Sequence, residues 1–123
     1  MRKPQPGRTG LLHLRVGFSD TFYMGPGRAD LMAFIAETGS ISEAARRMGM
    51  SYKRAWSLVQ ALNDGFGAPL VESARGGKEQ GAQLTEAGRE VLERYRGMQE
   101  ATRKAIARDV DAVVALADIS GRK

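Results

Sequence analysis

The sequence contains no cysteine and only one histidine, His13. The absence of cysteine excludes disulfide bonds, thiolate metal sites and cysteine nucleophiles, and a lone histidine removes most metal and catalytic-triad chemistry. No apolar run approaches the roughly 20 residues that span a bilayer. Met1 to Gly10 lacks the apolar segment of a secretion signal. We therefore expect a cytoplasmic protein that is not an enzyme, needs no cofactor and binds no metal.

The chain is also short, and its positive charge is unevenly placed. Its 123 residues fit one domain with a modest core and one extension. The net charge of +5 favours polyanionic partners. The segment from Ser42 to Gln60 contains four basic residues and a single acid, Glu43. The segment from Glu86 to Lys123 contains eight basic and seven acidic residues, so its charge is nearly balanced. The first segment is therefore a candidate polyanion-binding surface, and the second is typical of a solvated helix.

Periodicity and turn signals divide the first third of the chain. Residues 1–10 are predicted to be a flexible tail because they carry two prolines and scattered charge. From Leu12 to Phe18 apolar and polar residues alternate, which predicts a half-buried strand. A helix is predicted to follow, with Pro26 in its first turn, an apolar stripe at helical spacing and an end near Gly39.

Two further helices are predicted in close succession. Ser40 or Ser42 caps a helix of barely two turns that ends at Gly49, and Ser51 caps the next helix, which ends at Gly65. Their predicted buried faces include Ala44, Ala45, Ala55, Val59 and Leu62. Two short helices joined by so tight a turn must cross steeply, and the pair is predicted to be a helix-turn-helix.

A hairpin is predicted after the helix-turn-helix. Pro69 to Ser73 favours a strand, residues 75–81 form a glycine-punctuated loop, and Ala82 to Leu84 supplies the return strand. Because a lone hairpin is marginally stable, we expect the Leu12 to Phe18 strand to join it in a three-stranded sheet. The predicted fold class is mainly α with a small antiparallel β-sheet, a winged helix-turn-helix in which the hairpin is the wing.

The remaining sequence predicts one long helix from Thr85 to about Ile119. Such a helix extends roughly 50 Å, which is longer than so small a domain can cover. We expect its excess apolar stripe to pack on the same helix of a second copy, in a homodimer. The predicted organisation is a flexible tail over residues 1–10, a winged helix-turn-helix DNA-binding domain over 11–88, a C-terminal dimerisation helix over 89–119 and a tail over 120–123.

A helical wheel of the third helix identifies its outward face. Lys53, Ser57 and Gln60 lie opposite the buried stripe, and Arg54 lies on one flank. A helix fits the major groove of DNA, and its outward side chains reach bases and phosphates. The amide of Gln60 suits adenine, whereas the two cations suit either guanine or phosphate.

Aromatic and basic residues flank this predicted DNA-facing surface. Tyr52 and Trp56 either pack on the domain, which we expect for Trp56, or lie against sugar and phosphate. Of Arg46 and Arg47 on the preceding helix, we expect one to meet a phosphate. The candidate contacts from the wing to the DNA backbone or the minor groove are Arg75 and Lys78.

Five runs of the sequence stand out together: Gly39 to Trp56, which contains Ser-Tyr-Lys-Arg-Ala-Trp, then Leu62-Asn63, Pro69 to Glu72, Gly76-Gly77 and Leu84 to Gly88. In these runs the chain resembles the N-terminal DNA-binding domain of the ModE-type, molybdate-responsive regulators and, more loosely, that of the LysR-type regulators. The resemblance covers about Leu12 to Ile106 and implies dimerisation through the terminal helix. It also implies a recognition helix that carries Ser51, Tyr52, Lys53, Arg54 and Ser57.

Full-length ModE-type regulators sense molybdate through additional C-terminal β-rich domains, and this sequence ends at Lys123 without them. We therefore expect a stand-alone ModE-like domain that does not bind molybdate. The predicted function is a transcriptional regulator that binds a pseudo-palindromic operator in double-stranded DNA as a homodimer, through its recognition helix and wing. Two alternatives stay open, a winged-helix protein-interaction module and a sequence-independent DNA-binding accessory protein.

Overall fold

The computed structural model describes residues 9–74 and 81–121, with side chains described as far as Ala117. The helices are α1 (Pro26–Thr38), α2 (Ile41–Met48), α3 (Tyr52–Phe66) and α4 (Glu86–Gly121). The strands are β1 (Val16–Gly17), β2 (Tyr23–Met24), β3 (Val71–Ala74) and β4 (Gly81–Leu84). The predicted fold class, mainly α and winged helix-turn-helix, is confirmed. Within the described part of the chain, no helix is long and apolar enough to cross a membrane.

Serine caps and a glycine end define the helix-turn-helix. Ser40 Oγ accepts the backbone N–H of Glu43 at 3.0 Å, and Ser51 Oγ accepts that of Arg54 at 3.1 Å. Gly49 ends α2 with a φ of 69°, a left-handed conformation that favours glycine. These positions confirm the predicted caps, and they leave a turn of only three residues between α2 and α3.

The hydrophobic core lies where the three short helices meet the hairpin and the first turns of α4. Its members include Leu31, Met32 and Ile35 of α1, Ala44 and Ala45 of α2, Ala55, Val59 and Leu62 of α3, and Leu70, Val71, Ala82, Leu84 and Tyr95. The alanines at the contact between α2 and α3 allow the close approach that a steep crossing requires. This packing buries one face of α3 and leaves the opposite face open.

The predicted three-stranded sheet is wrong. β1 is only two residues long and pairs antiparallel with β2, in a sheet separate from the β3–β4 hairpin. The cause is local, because the N–H groups of Phe18 and Ser19 both donate to the Phe22 carbonyl, at 2.9 and 3.2 Å, and turn the chain back. Leu12 and Phe18 are exposed, so the alternation does not mark one buried face.

Within the described residues, the hairpin is attached to the helices without a third strand. Ala82 N–H donates to the Gly39 carbonyl at 3.0 Å, which ties β4 to the turn between α1 and α2. Pro69 lies before β3 rather than within it. The tip of the predicted wing, residues 75–80, lies outside the described residues.

The third helix passes the glycine that was predicted to end it. It continues through Gly65 to Phe66 and is capped by Gly67, whose φ is 89°. Glycine is required at position 65 for a close approach, since a Cβ there would overlap the Thr21 carbonyl oxygen. Thr21 Oγ1 also donates to the Gly65 carbonyl at 2.8 Å. The end of α3 is therefore fixed against the N-terminal segment.

The first turns of α4 belong to the core. Tyr95 is fully buried, and its hydroxyl donates to the Leu14 carbonyl at 2.7 Å. Arg96 forms an ion pair with Asp30 of α1 at 2.9 Å. Beyond Gln99, the ion pairs and side-chain hydrogen bonds described for α4 are all internal to the helix. The described side chains of residues 111–117 are all exposed, so this distal part of α4 extends away from the described core.

Candidate nucleic-acid interface

One face of α3 is open to solvent and carries polar and charged side chains. Six of the eight predicted contact residues lie on this helix or at its cap: Ser51, Tyr52, Lys53, Arg54, Ser57 and Gln60. All six are exposed except Gln60, which is half-buried. The other two, Arg75 and Lys78, lie outside the described residues. The predicted buried face of α3, with Ala55, Val59 and Leu62, is confirmed.

The two arginines of α2 are paired with acids. Arg46 forms an ion pair with Glu43 one turn earlier, and Arg47 Nη1 lies 3.1 Å from Glu37 Oε1 of α1. The hydrogen bond from Arg46 is the main cause that lowers the pKa of the Glu43 carboxyl below its ordinary value. The positive charge that the sequence places on α2 is therefore largely offset by neighbouring carboxylates.

Lys53 and Arg54 differ from the arginines of α2. Both are exposed in the first turn of α3. Among the residues that the structure describes, neither has an acidic group within 4.0 Å. Within the described part of the chain they are the cations of this face that no acid offsets, and such groups suit contact with phosphates and with the acceptor edge of guanine.

A groove of about 390 Å³, here named the α3–hairpin groove, separates α3 from the hairpin. Tyr52, Trp56 and Gln60 line its helical side, Ser73 lines its β3 side, and Ser42 lies at the start of α2. Tyr52 is 53% exposed and Trp56 is 47% exposed. The prediction that Trp56 packs on the domain is confirmed only in part, because the residue remains 47% exposed and lines the groove.

Asn63 joins α3 to the hairpin. Its Oδ1 accepts the N–H groups of Leu70 and Val71, at 2.8 and 3.1 Å, and its Nδ2 donates to the Val71 carbonyl at 3.0 Å. Sequence reasoning gave Asn63 no role beyond a place in a resembling motif. The available signal was an amide side chain directly after the buried Leu62. These three bonds set the position of the hairpin relative to the open face of α3.

We expect Asn63→Ala to lower the free energy of unfolding by about 2 to 3 kcal/mol, because two N–H groups and one carbonyl lose their partners. Urea denaturation followed by circular dichroism measures the loss. Gln60→Ala is the matched control, since Gln60 lies one turn earlier and its side chain has no hydrogen bond within the described residues. Its expected change is below about 0.5 kcal/mol. Equal losses in the two variants would contradict the role of Asn63.

A second attachment holds the residue before β3 from the side of α4. Thr85 N–H donates to the Leu70 carbonyl at 2.9 Å, and Thr85 Oγ1 donates to the Pro69 carbonyl at 2.8 Å. The same hydroxyl accepts the N–H of Gly88 at 2.9 Å and so caps α4. Gly88 is buried, and a Cβ there would overlap the Leu70 carbonyl oxygen. Leu70 is therefore held by α3 on one side and by α4 on the other.

Residues 29–89 match the family of bacterial regulatory helix-turn-helix proteins, lysR family. The matched segment begins in α1 and ends in the first turn of α4, so it includes the helix-turn-helix and the hairpin.

Two related proteins show how far the similarity extends. The molybdenum-pterin-binding protein MopB of Rhodobacter capsulatus is 46% identical over 84 residues, which cover 68% of this chain and 31% of MopB. The DNA-binding transcriptional dual regulator ModE of Escherichia coli (strain K12) is 36% identical over 93 residues, which cover 75% of this chain and 36% of ModE. The chain thus spans about a third of the length of these relatives.

Solved structures of CbnR share the fold. The complex of the CbnR DNA-binding domain with DNA has a TM-score of 0.56 and 29% sequence identity, and the match covers 71% of this chain and 95% of that one. Full-length CbnR with its target DNA has a TM-score of 0.53, and the match covers 68% of this chain and 27% of that one. The family match, the related sequences and the shared fold together identify a helix-turn-helix domain similar to that of the lysR family of bacterial regulatory proteins.

Proposed function

We propose that the chain inserts α3 into the major groove of duplex DNA and regulates transcription. The observation that carries the proposal is the open face of α3, on which Lys53 and Arg54 have no acidic partner among the described residues. An α-helix fits the major groove of B-DNA. Further support comes from the CbnR structures, which contain DNA, and from ModE, which is named as a DNA-binding transcriptional regulator.

The exposed side chains of α3 differ in their chemistry, and we assign each a different contact with DNA. Lys53 and Arg54 contact phosphate or guanine, and the amide of Gln60 pairs bidentately with adenine. The hydroxyls of Ser51 and Ser57 donate to or accept from neighbouring bases and phosphates. The proposed contacts of the wing with the DNA backbone or the minor groove are Arg75 and Lys78.

We also propose that the chain acts as a two-fold homodimer joined by α4. Residues 11–88 then form the DNA-binding domain, and residues 89–119 form the dimerisation helix. Val113 and Leu116, on the distal part of α4, are each 63% exposed. Since this part of α4 extends away from the core of its own chain, its apolar side chains need a surface from another molecule.

An apolar groove of about 420 Å³ beside the proximal part of α4 suits that purpose. The residues that give it its apolar lining are Phe18, Phe22, Phe66, Val91 and Met98. An antiparallel arrangement of two α4 helices places the distal part of each helix beside the proximal groove of the other. A single two-fold axis then relates the two contacts between a distal helix and a proximal groove, as in an isologous dimer.

The proposed antiparallel arrangement implies a position for the two-fold axis. The groove residues of α4 and the exposed Val113 and Leu116 are separated by roughly 30 Å of helix. The midpoint, and with it the two-fold axis, lies near Ile106.

We expect Ile106→Cys to form a disulfide-linked dimer under mild oxidation, because side chains near the axis meet their own copy. The natural chain has no cysteine, so the engineered thiol is the only source of a cross-link. Arg108→Cys places the thiol on the opposite face of α4 and is expected to stay monomeric on non-reducing electrophoresis. Equal cross-linking of the two variants, or a monomeric mass of the natural chain in sedimentation, would exclude this dimer.

A genomic binding selection followed by footprinting tests the DNA-binding proposal. The expected result is a pseudo-palindromic protected site, with half-sites about one helical turn or a multiple of it apart. A single asymmetric site would contradict the dimeric binding mode. Weak, salt-sensitive binding without sequence preference would indicate an accessory protein, and no binding at all would indicate a protein-interaction module.

A further inference from the structure

We propose that the α3–hairpin groove seats the sugar–phosphate strand that separates the DNA major groove from the adjacent minor groove. In this seat Trp56 packs on deoxyribose, and the hydroxyls of Ser42 and Ser73 donate to phosphate. The inference rests on the proposed function, and it adds three residues to the contacts assigned above.

The path of the strand follows from the placement of two elements. When α3 lies in the major groove and the hairpin points to the neighbouring minor groove, the strand that divides the two grooves has to pass between helix and hairpin. The α3–hairpin groove occupies that gap, with Trp56 on the helical side and Ser73 on the β3 side. The part of the groove between Trp56 and Ser73 is therefore positioned for a backbone contact.

The side chains that face the groove match the chemistry of a nucleotide backbone. Ser42 and Ser73 are exposed, and their hydroxyls have no hydrogen-bond partner in the described part of the chain. A hydroxyl donates readily to a phosphate oxygen, and the indole of Trp56 combines an apolar face with one N–H donor. The indole of Trp56 therefore suits packing on a deoxyribose, and the hydroxyls of Ser42 and Ser73 suit hydrogen bonds to the adjoining phosphate.

The exposure of the aromatic side chains needs an explanation that the proposed dimer does not supply. Tyr52 and Trp56 lie one turn apart at the start of α3, in the α3–hairpin groove. Phe66, which lines the groove proposed for the partner helix, lies at the opposite end of α3. Tyrosine and tryptophan combine an apolar ring with a polar tip and are enriched at binding interfaces. At this place the occupant that fits both them and the serines is DNA.

One acid lines the described part of the groove and opposes a phosphate. Glu72 lies on β3, and its Oε2 accepts a hydrogen bond from Gln83 Nε2 at 3.1 Å. Glu72→Gln is therefore expected to strengthen operator binding about threefold by removing a repulsion. Glu93→Gln removes the same charge from an exposed position on α4 and is expected to leave the Kd unchanged.

Trp56 is the only tryptophan of the chain, so intrinsic fluorescence reports on this residue alone. Saturation with the selected operator is expected to reduce acrylamide quenching of the natural protein about threefold, because the indole becomes covered. Trp56→Ala is expected to weaken binding about tenfold with an unchanged slope of log Kd against log salt, since the lost contact is apolar. Lys53→Ala, in contrast, lowers that slope by about one.

Modified duplexes distinguish a backbone contact from a base contact. A single methylphosphonate linkage is moved along the operator, and at the seated phosphate it is expected to weaken the natural protein while leaving Ser73→Ala unaffected. Replacing each thymine by deoxyuridine is expected to leave the effect of Trp56→Ala intact.

The outcomes separate this inference from the function on which it rests. If the natural protein binds no operator, the proposed function itself fails. If it binds while Trp56 stays as accessible to acrylamide as in the free protein, or while Trp56→Ala keeps the natural Kd, the seat is overturned and the proposed function stands. Loss of the Trp56 effect on deoxyuridine duplexes assigns the indole to a thymine methyl group and also overturns the seat.

Discussion

Replacing Lys53 and Arg54 together by alanine is expected to weaken operator binding by about 100-fold. Each cation that meets the DNA contributes about a factor of ten, and the described residues provide no carboxylate that already offsets either charge. The slope of log Kd against log salt is expected to fall by about two, since each lost phosphate contact lowers it by about one. Fluorescence anisotropy at several salt concentrations measures both quantities.

A double variant on α4 is the matched control for this loss. Lys104→Ala with Arg108→Ala removes the same two charges from exposed positions, on the face of α4 opposite Ile106. We expect its Kd to stay within about twofold of the natural value, because the net charge of the whole chain contributes little at moderate salt. If the two double variants weaken binding equally, the contact is non-specific and α3 has no special place in it.

The substitution Gly88→Ala is expected to cost about 3 kcal/mol of folding free energy or to prevent folding. Alanine in place of glycine normally stabilises a helix interior by about 1 kcal/mol. At position 88 the added methyl group would overlap the Leu70 carbonyl oxygen and lie 3.0 Å from its carbon, and both atoms belong to the backbone. Relief requires α4 to separate from the segment before β3, which breaks the bonds of Thr85. Thermal and urea denaturation measure the change.

Gly97→Ala is the natural comparison on the same helix. A Cβ at Gly97 meets nothing within 4 Å, so the variant is expected to gain about 0.5 to 1 kcal/mol. The substitution of glycine by alanine is therefore expected to change the free energy of unfolding in opposite directions at two positions nine residues apart. Stabilisation by both variants would show that α4 does not pack on Leu70 as closely as described.

The parts of the fold that could be predicted from the sequence are those governed by local chemistry. Ser40 and Ser51 cap N–H groups only three residues ahead, and Gly49 ends α2 through its own backbone conformation. These caps and helix ends depend only on residues that lie a few positions apart in the sequence. The buried face of α3 was equally predictable, because helical spacing alone places Val59 and Leu62 on one side.

The errors concern contacts between distant residues. Gly65 looked like a helix end, yet its role depends on the Thr21 carbonyl, 44 residues away. The sequence analysis did not foresee that α1 places Glu37 beside Arg47. Trp56 is half-exposed because it lines the groove between α3 and the hairpin, two elements that the bonds of Asn63 join. The spacing of apolar residues along the sequence gives no information about contacts between residues that lie far apart in the chain.

The double attachment of Leu70 has a geometric consequence for operator choice. Leu70 is bonded both to α3, the helix proposed to read DNA, and to the start of α4, the helix proposed to join the two copies. In the proposed dimer, the separation and relative rotation of the two reading helices are therefore fixed by the protein. One extra base pair between half-sites displaces them by about 3.4 Å and rotates them by about 35°. If Leu70 holds the two helices rigidly together, the dimer is expected to discriminate against such an operator even when every contacted base is correct.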